Sequence, residues 1–207
     1  GVKSIYSFLK RKIKRKLFFF DDLDHDLFNK LKKNIFKNCC LIIISKSGNT
    51  LETITNLNLI YSISKLKNKI IFITEKKNNV LTNIADKMDA EIIEHKNFIG
   101  GRYSVLSEIG MLPAFLMRLN IKKFKNFKVL LSNKRFVSFL THNVANIYTL
   151  CNRGIKNSVI LNYNSYLNDL GYWYQQLVAE SLGKNGKGIT PILSPTPKDH
   201  HSVLQLY

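Results

Sequence analysis

The sequence has few of the residues that cross-link a chain or anchor it in a membrane. Its 207 residues include three cysteines, four prolines and one tryptophan. Cys39 and Cys40 are neighbours that cannot easily bridge one another, and no Cys-x-x-Cys pair supplies a metal site. Apolar runs such as residues 17–20 and 41–44 are far shorter than a membrane-spanning helix, and no signal-peptide pattern opens the chain. We therefore expect free thiols in a reducing cytoplasm and no membrane span.

Acidic residues are also scarce, which leaves a large excess of positive charge. Fourteen acidic residues oppose 32 basic ones, so the formal net charge is +18, and 26 of the basic residues are lysines. A nucleic-acid surface favours arginine and a basic patch on one face, whereas these lysines are spread through every third of the chain. We attribute most of the charge to the composition of an A/T-rich genome and expect no nucleic-acid or membrane partner, with polyanion binding as the alternative.

The first 26 residues predict a basic helix, a strand and an acidic loop. Apolar residues recur at helical spacing among lysines and arginines up to residue 16, and residues 16–20 are typical of a strand. His25 lies within the acidic cluster that follows and raises the alternative of a metal site. A loop with a helix cap is the more common role for such a cluster. Its carboxylates are Asp21, Asp22, Asp24 and Asp26.

From residue 39 onward, apolar strands alternate with amphipathic helices. This alternation is that of βαβ crossovers, so the sequence predicts an α/β sandwich with a parallel sheet. The helix predicted at residues 51–61 should bury one apolar stripe, formed by Leu51, Ile54, Leu57 and Tyr61. The predicted strands are residues 39–45, 69–74, 91–94 and 158–161. The predicted helices are residues 51–61, 80–88, a segment from Ser104 kinked at Pro113, residues 137–151, and a segment from Ser165 to Gly183. After residue 189 we expect a proline-punctuated loop and the start of a final helix.

The segment at residues 45–53 carries an unusual density of hydroxyl groups. It follows a buried strand and opens a helix, at the sheet edge where open α/β proteins bind ligands. Hydroxyls, a glycine and free backbone N–H groups at a helix N-terminus can bind phosphate. A helix cap needs one hydroxyl, whereas four crowd this turn: Ser45, Ser47, Thr50 and Thr53. The segment lacks the Gly-Lys-Ser/Thr of a nucleotide P-loop, so we predict a small phosphorylated ligand.

Four segments in the right order resemble motifs of the glucose-6-phosphate isomerase family, and of its short bacterial form in particular. They are the sugar-isomerase (SIS) phosphate loop at residues 45–53, a signature at 97–104, the catalytic-glutamate segment at 175–184 and the catalytic-histidine segment at 199–207. The resemblance implies an SIS-type three-layer α-β-α sandwich. It also implies reversible conversion of glucose 6-phosphate to fructose 6-phosphate through an enediolate, in glycolysis and gluconeogenesis.

The resemblance also implies roles for individual residues. Glu180 would be the base that moves a proton between adjacent carbons, Arg102 the positive charge beside the enediolate, and His201 the group that assists ring opening. Its neighbour His200 stands where the family commonly has glutamine, which leaves open which histidine acts. The family is dimeric, the catalytic histidine comes from the partner subunit, and no metal or organic cofactor is implied. The expected substrate-binding residues are Ser45, Lys46, Ser47, Thr50, Gly100, Gly101 and Gln176.

Both ends of the chain depart from the family. Of the glycine-rich loop expected before the first helix only Gly1 has a counterpart, and the family's C-terminal lysine would lie beyond Tyr207. We therefore expect that the chain was cut from a longer one and that these 207 residues alone are nearly inactive. The resemblance assigns residues 1–96 to most of a first SIS domain and 97–207 to linking helices and the beginning of a second.

Two other functions stay open at this point. One is a related SIS isomerase that acts on a phosphomannose or an amino-sugar phosphate. The other is a non-catalytic module that only binds a phosphosugar. Such a module needs the phosphate loop but has no need of Arg102, Glu180 and His201 together.

Overall fold

The computed structural model describes residues 1–23, 36, 39–64, 69–124 and 126–207. In chain order, the helices and strands are α1 (Val2–Phe8), β1 (Leu41–Ile44), α2 (Leu51–Ser64), β2 (Ile70–Thr74), α3 (Val80–Lys87), β3 (Glu91–Glu94), α4 (Glu108–Leu116), α5 (Ile121–Phe124), α6 (Lys128–Ser132), α7 (Lys134–Asn152), β4 (Asn157–Asn162), α8 (Asn168–Leu182) and β5 (Thr190–Pro195). Short 3₁₀ turns occur at Lys10–Lys12, Gly101–Leu106, Ser165–Leu167, Lys198–His201 and Val203–Leu206.

The chain divides into two compact units. The first unit is Phe18–Ser104, and the second unit combines Gly1–Leu17 with Val105–Tyr207. The expected domain boundary after residue 96 stays a prediction. Parallel strands with helices packed on them occur in both units, so the α/β class predicted from the alternation is confirmed.

In the first unit, three parallel strands form a sheet in the order β1-β2-β3. Leu41 of β1 pairs with Ile70 of β2, and Ile71 of β2 pairs with Glu91 of β3. All five residues of β2 are buried, as expected for the central strand of a parallel sheet covered on both faces. Helices α2 and α3 share one core with these strands. Its buried members include Leu41, Ile43, Leu57, Ile60, Phe72, Leu81 and Ala85.

The buried face of α2 differs from the predicted stripe. Leu57 is buried as expected, whereas Leu51 and Tyr61 are 69% and 52% exposed. The face is centred instead between Leu57 and Asn56, a polar residue that an apolar-periodicity argument passes over. The Asn56 side-chain amide donates to the carbonyl oxygens of residues 20 and 22, over 3.0 Å and 3.2 Å. Residues 16–20 are not in a strand, so the strand predicted there is wrong.

In the second unit, α1 packs on α4 and α8. Strands β4 and β5 form a parallel pair in which Asn157 lies opposite Thr190, and α8 covers β5. One apolar cluster holds the first segment of the chain against α4. It contains Ile5, Val105, Ala114, Met117 and Leu119.

Strand β5 replaces the proline-punctuated loop predicted after residue 189. Thr190 N donates to Lys156 O and Thr196 N donates to Asn162 O, over 2.6 Å and 2.8 Å. Successive N–H groups of a strand point to opposite sides, so the odd-numbered prolines at 191 and 195 fall on the side that needs no donor toward β4. Two 3₁₀ turns follow β5 in place of the predicted final helix.

Helices α3, α4, α7 and α8 follow the prediction with small shifts of their ends, whereas α5 and α6 were not predicted. Helix α4 begins at Glu108, after the Ser107 side chain accepts from Ile109 N over 3.3 Å, and continues through Pro113. Asn164, and not Ser165, caps the turn before α8. Asp24, His25 and Asp26 lie outside the described residues. Among the residues that are described, no helix is long and apolar enough to cross a membrane.

Candidate active site

The hydroxyl-rich loop joins the end of β1 to the start of α2 in the first unit. Ser45 N donates to Ile73 O over 3.1 Å, which carries the strand pairing one residue past β1. The buried Ser45 Oγ lies 2.7 Å from Thr50 Oγ1 and accepts from Gly48 N over 3.1 Å. Asn49 N lies 3.2 Å from Ser47 Oγ. The loop is therefore folded so that hydroxyls and backbone N–H groups share one turn.

Gly48 is required in this loop by its backbone and by its surroundings. Its φ of +71° belongs to the left-handed region, and a Cβ there would lie 1.9 Å from Asn79 Oδ1. Gly48 O also accepts from Leu81 N over 3.0 Å, and Asn49 Oδ1 accepts from Val80 N over 3.0 Å. The loop is thus fastened to the first turn of α3.

Asn79, which the sequence analysis did not single out, caps the helix that the loop is fastened to. Its Oδ1 accepts from Thr82 N over 2.9 Å, and Thr82 Oγ1 accepts from Asn79 N over 3.0 Å, which forms a capping box for α3. Its Nδ2 donates to Lys77 O over 3.0 Å and to Glu75 O over 3.3 Å. An asparagine three residues before a threonine at the start of an apolar helix was the signal available in the sequence.

Lys46 joins the loop to the segment that follows β3. Its Nζ donates to the carbonyl oxygens of Asn97 and Ile99, over 2.9 Å each, and lies 3.6 Å from Glu75 Oε1. Ile99 O is also 3.1 Å from Nε2 of His95, which is 1% exposed. The segment after β3 is therefore held by two side chains at one carbonyl.

Glu75 carries the negative charge of this cluster. Its side chain is 12% exposed and accepts from Lys77 Nζ at 2.5 Å. That hydrogen bond lowers the pKa of Glu75 from its ordinary 4.5, and the positive charges of Lys77 and Lys46 act in the same direction against the opposing effect of burial. The carboxyl group therefore stays ionised to lower pH than an isolated glutamate.

The signature segment continues from this anchored carbonyl into a 3₁₀ turn. Ser104 Oγ donates to Gly101 O over 2.6 Å, and the Arg102 guanidinium carbon lies 4.6 Å from the centroid of the Tyr103 ring. A Cβ at Gly101 would meet no atom within 4 Å among the described residues, and its φ is not positive. The fold itself therefore gives no reason for glycine at this position.

In the second unit, the predicted base lies on α8. The Gln176 side-chain amide donates to Glu180 Oε1 over 2.9 Å, and both side chains are exposed. Gln175, on another face, donates to Pro191 O over 2.9 Å and joins α8 to β5. Gln176, one turn earlier in α8, thus orients one oxygen of the Glu180 carboxylate.

The two histidines follow β5 in the turn Lys198–His201. Ser194, which is fully buried, donates to the carboxylate of Asp199 over 2.7 Å and holds the turn. His200 Nε2 lies 2.9 Å from the hydroxyl of Tyr163, with the two rings edge to face. No hydrogen-bond partner of the exposed His201 side chain occurs in the described part of the chain.

The expected site residues therefore form two groups. The first unit holds the phosphate loop together with Gly100, Gly101 and Arg102, and Lys46 links the two segments. The second unit holds Gln176 and Glu180 in contact, with His201 on a separate turn. Among the described residues, no group of three or more histidine, cysteine, aspartate or glutamate side chains is placed to hold a metal ion.

The sequence of this chain is similar to a family model and to several known proteins. A family model described as phosphoglucose isomerase matches residues 1–194. The glucose-6-phosphate isomerase of Methanocaldococcus jannaschii is 36% identical over 205 residues, which cover 92% of this chain and 49% of that protein. The probable glucose-6-phosphate isomerase of Methanococcus maripaludis is 33% identical and covers 97% and 48%, respectively. The glucose-6-phosphate isomerase of Campylobacter jejuni is 31% identical and covers 100% and 54%.

A solved structure shows the same fold. The crystal structure of a hypothetical protein from Thermus thermophilus matches with a TM-score of 0.78 at 23% identity, over 100% of this chain and 53% of that chain. The parallel sheets and packed helices are consistent with the SIS-type sandwich expected from the sequence. The chain spans about half the length of the curated relatives it matches.

Proposed function

Because the chain belongs to the phosphoglucose isomerase family, we propose that it works in an isomerase that interconverts glucose 6-phosphate and fructose 6-phosphate in glycolysis and gluconeogenesis. The observation that carries this proposal is the link between the phosphate loop and the Arg102 segment through Lys46. A phosphate-binding turn and a cation suited to an enediolate belong to one braced structure, as the reaction requires.

The phosphate of the sugar is held by the turn at the start of α2. Ser45, Ser47 and Thr50 supply hydroxyls, the N-terminus of the helix supplies backbone N–H groups, and Lys46 adds positive charge. The phosphate fixes one end of an open-chain hexose, so that C1 and C2 are brought to the acid–base groups.

Glu180 is the base in this proposal. Its carboxylate removes the proton from C2 of the aldose, which gives an enediolate, and returns it to C1. A proton also passes from the C2 hydroxyl to O1 through solvent, and the ketose forms. The hydrogen bond from Gln176 supports this role because it orients one carboxylate oxygen and restricts the side-chain rotamers of Glu180. Gln176 also matches the family's substrate-contacting glutamine.

Arg102 and His201 complete the chemistry. The guanidinium stabilises the negative charge that develops on the enediolate oxygens, while Gly100 and Gly101 admit the sugar close to the backbone. His201 assists opening of the sugar ring and is contributed by the partner subunit of a homodimer. The mechanism uses no metal or organic cofactor, and the free thiols of Cys39, Cys40 and Cys151 suit a reducing cytoplasm.

The alternative functions differ in substrate preference and in the salt dependence of binding. A related SIS isomerase would turn over mannose 6-phosphate or glucosamine 6-phosphate faster than glucose 6-phosphate. A non-catalytic module would bind all three without turnover. A polyanion-binding protein would lose nucleic-acid affinity steeply as salt rises, whereas we expect a flat salt titration.

The proposal is tested with Thr50→Val, which removes one hydroxyl and keeps the side-chain shape. In a coupled isomerase assay on the protein as expressed from its gene, we expect KM for glucose 6-phosphate to rise about 10-fold, the value of a lost charge-assisted hydrogen bond. Thr55→Val, on the same helix, is the matched control and should leave KM unchanged. Equal KM values for the two variants would refute the assignment of this loop to the phosphate, and no turnover by the unmodified protein would refute the isomerase function.

A further inference from the structure

The Lys46 ammonium donates two hydrogen bonds to the backbone of another segment. An ammonium group carries three N–H donors and no acceptor. Two of them reach the carbonyl oxygens of Asn97 and Ile99 at 2.9 Å, and Glu75 Oε1 lies on a further side at 3.6 Å. A phosphate oxygen could gain a bond from Lys46 only if one of these contacts were given up.

The segment that Lys46 holds leads directly into the residues expected at the sugar. Residue 99 precedes Gly100, and Arg102 lies three residues beyond the anchored carbonyl. Two further hydrogen bonds of the segment are local. Ile99 N donates to Lys96 O over 3.1 Å, and Nε2 of the buried His95 is 3.1 Å from the same Ile99 O. Neither of these two bonds involves the phosphate loop, because both are made within residues 95–99.

We propose that Lys46 is a positioning residue that ties the phosphate loop to the Arg102 segment, and that the phosphate itself is bound by hydroxyl and backbone N–H groups. This deepens the proposed function and rests on it for the role of Arg102. The tether fixes the spacing between the phosphate of the substrate and the guanidinium. Its main effect is therefore on kcat, whereas a phosphate ligand acts on binding.

The test compares Lys46→Met with Lys77→Met. Methionine keeps the length and apolar stem of the lysine but removes its charge and donors. Lys77 pairs with the same Glu75 carboxylate and makes no hydrogen bond to residues 97–99, so its variant controls for the loss of a cation beside that carboxylate. Hydrogen exchange is followed at the backbone amides of residues 97–103, and steady-state isomerase kinetics are measured with inorganic phosphate as a competing anion.

For Lys46→Met, we expect these amides to exchange about 10-fold faster, because two charge-assisted hydrogen bonds are lost. We expect kcat to fall about 10- to 100-fold, the effect of a misplaced catalytic group. KM and the inhibition constant of inorganic phosphate should stay within about twofold, since no phosphate contact is removed. Lys77→Met should match the unmodified protein in all four quantities.

A rise of about 10-fold or more in the inhibition constant of phosphate, with unchanged amide exchange, would show that Lys46 binds the anion and would overturn the proposal. Unchanged exchange together with unchanged kinetics would also overturn it. If Lys46→Met does not fold, Lys46→Gln, whose amide stops one bond short of the ammonium position, is measured in its place. If the unmodified protein has no isomerase activity, the proposed function fails, while amide exchange at residues 97–103 still decides the tether.

Discussion

In α8, the side-chain amide of Gln176 donates a hydrogen bond to Oε1 of Glu180 over 2.9 Å. The two residues are four apart, the spacing at which side chains meet on one helix face. The bond therefore orients Oε1 of an exposed carboxylate. A catalytic base requires such an orientation before the substrate arrives.

Replacement of Glu180 tests its role as the base. Glu180→Gln keeps the size of the side chain but cannot accept a proton from carbon, so we expect isomerisation to fall about 10²–10⁴-fold or more. Substrate binding should be nearly unchanged. The checks are a coupled assay and solvent-tritium incorporation at C2 of the sugar. Glu94→Gln, an exposed glutamate of β3, serves as the control. Retained tritium exchange in Glu180→Gln would assign the proton transfer to another group.

The two glycines Gly48 and Gly101 should respond in opposite ways to alanine. For Gly101→Ala we expect an unchanged free energy of unfolding, because a Cβ there meets no described atom within 4 Å and φ is not positive. The same variant should bind substrate more weakly, since the methyl group occupies the path by which the sugar approaches the backbone. Gly48→Ala should lose about 1–3 kcal/mol of stability through its positive φ and its clash with Asn79. Urea unfolding and KM for glucose 6-phosphate measure the two effects.

Substrate affinity that is equal in Gly101→Ala and the unmodified protein would contradict the assigned approach. Gly154→Ala gives a control for backbone strain alone, because that glycine has a φ of +93° and no described atom within 4 Å of a Cβ. We expect it to destabilise the fold less than Gly48→Ala, since only the φ penalty applies.

Glu75 makes part of the stability of the first unit depend on pH. Its pKa is lowered in the folded state by the hydrogen bond and charge of Lys77 and by the charge of Lys46. A group whose pKa is depressed on folding stabilises the fold above its unfolded value, here 4.5, and this contribution is lost as the pH falls through the lower folded value. We therefore expect the unfolding free energy to decrease as the pH falls below the unfolded value of 4.5.

Glu75→Gln should flatten that decrease, because glutamine does not titrate. Urea unfolding at several pH values measures the slope. Glu52→Gln, at the exposed start of α2, is the control and should leave the slope as it is. The same slope in Glu75→Gln as in the unmodified protein would show that other carboxylates govern the acid sensitivity.

Strands and helices could be predicted from apolar runs and from their order along the chain. The hydrogen bonds of polar side chains could not. The strand at Glu91–Glu94 and the core of β2 follow from apolar runs between helices, and the hydroxyl count of residues 45–53 led to the turn at the end of β1. Asn56 was missed because an asparagine that hydrogen-bonds to distant backbone carries no periodic signal, whereas Asn79 is a local helix cap whose capping pattern was present in the sequence. Likewise, the position of Lys46 in the sequence predicts a positive charge beside the loop, but only the fold brings its ammonium to residues 97–99.

The proline-rich segment gives a second lesson of the same kind. Proline weakens a strand assignment because it removes a donor. Strand β5 tolerates Pro191 and Pro195 because both fall on the side of the ladder that needs no N–H toward β4. Which side a residue faces depends on the register with Asn157–Asn162, and register is set by a partner more than thirty residues away in sequence.

The contrast between His200 and His201 leads to a last prediction, about ring opening. His200 Nε2 is engaged with the Tyr163 hydroxyl at 2.9 Å, whereas His201 has no hydrogen-bond partner among the described residues. A group that transfers a proton to or from the sugar needs a nitrogen available to it. We therefore expect His201→Gln to lower kcat for glucose 6-phosphate about 100-fold, and His200→Gln, which restores the residue common in the family, to change it little.

The substrate can separate ring opening from the later steps. In erythrose 4-phosphate the 4-hydroxyl is esterified, so this aldose phosphate cannot close a furanose ring and needs no opening. Exchange of its C2 proton with D₂O, followed by NMR, should be the same in His201→Gln and in the unmodified protein, because only the base and the enediolate cation act on it. Equal losses with the cyclic and the acyclic substrate would assign His201 to the enediolate chemistry itself. A loss in His200→Gln larger than in His201→Gln would transfer the ring-opening role to the histidine that Tyr163 contacts.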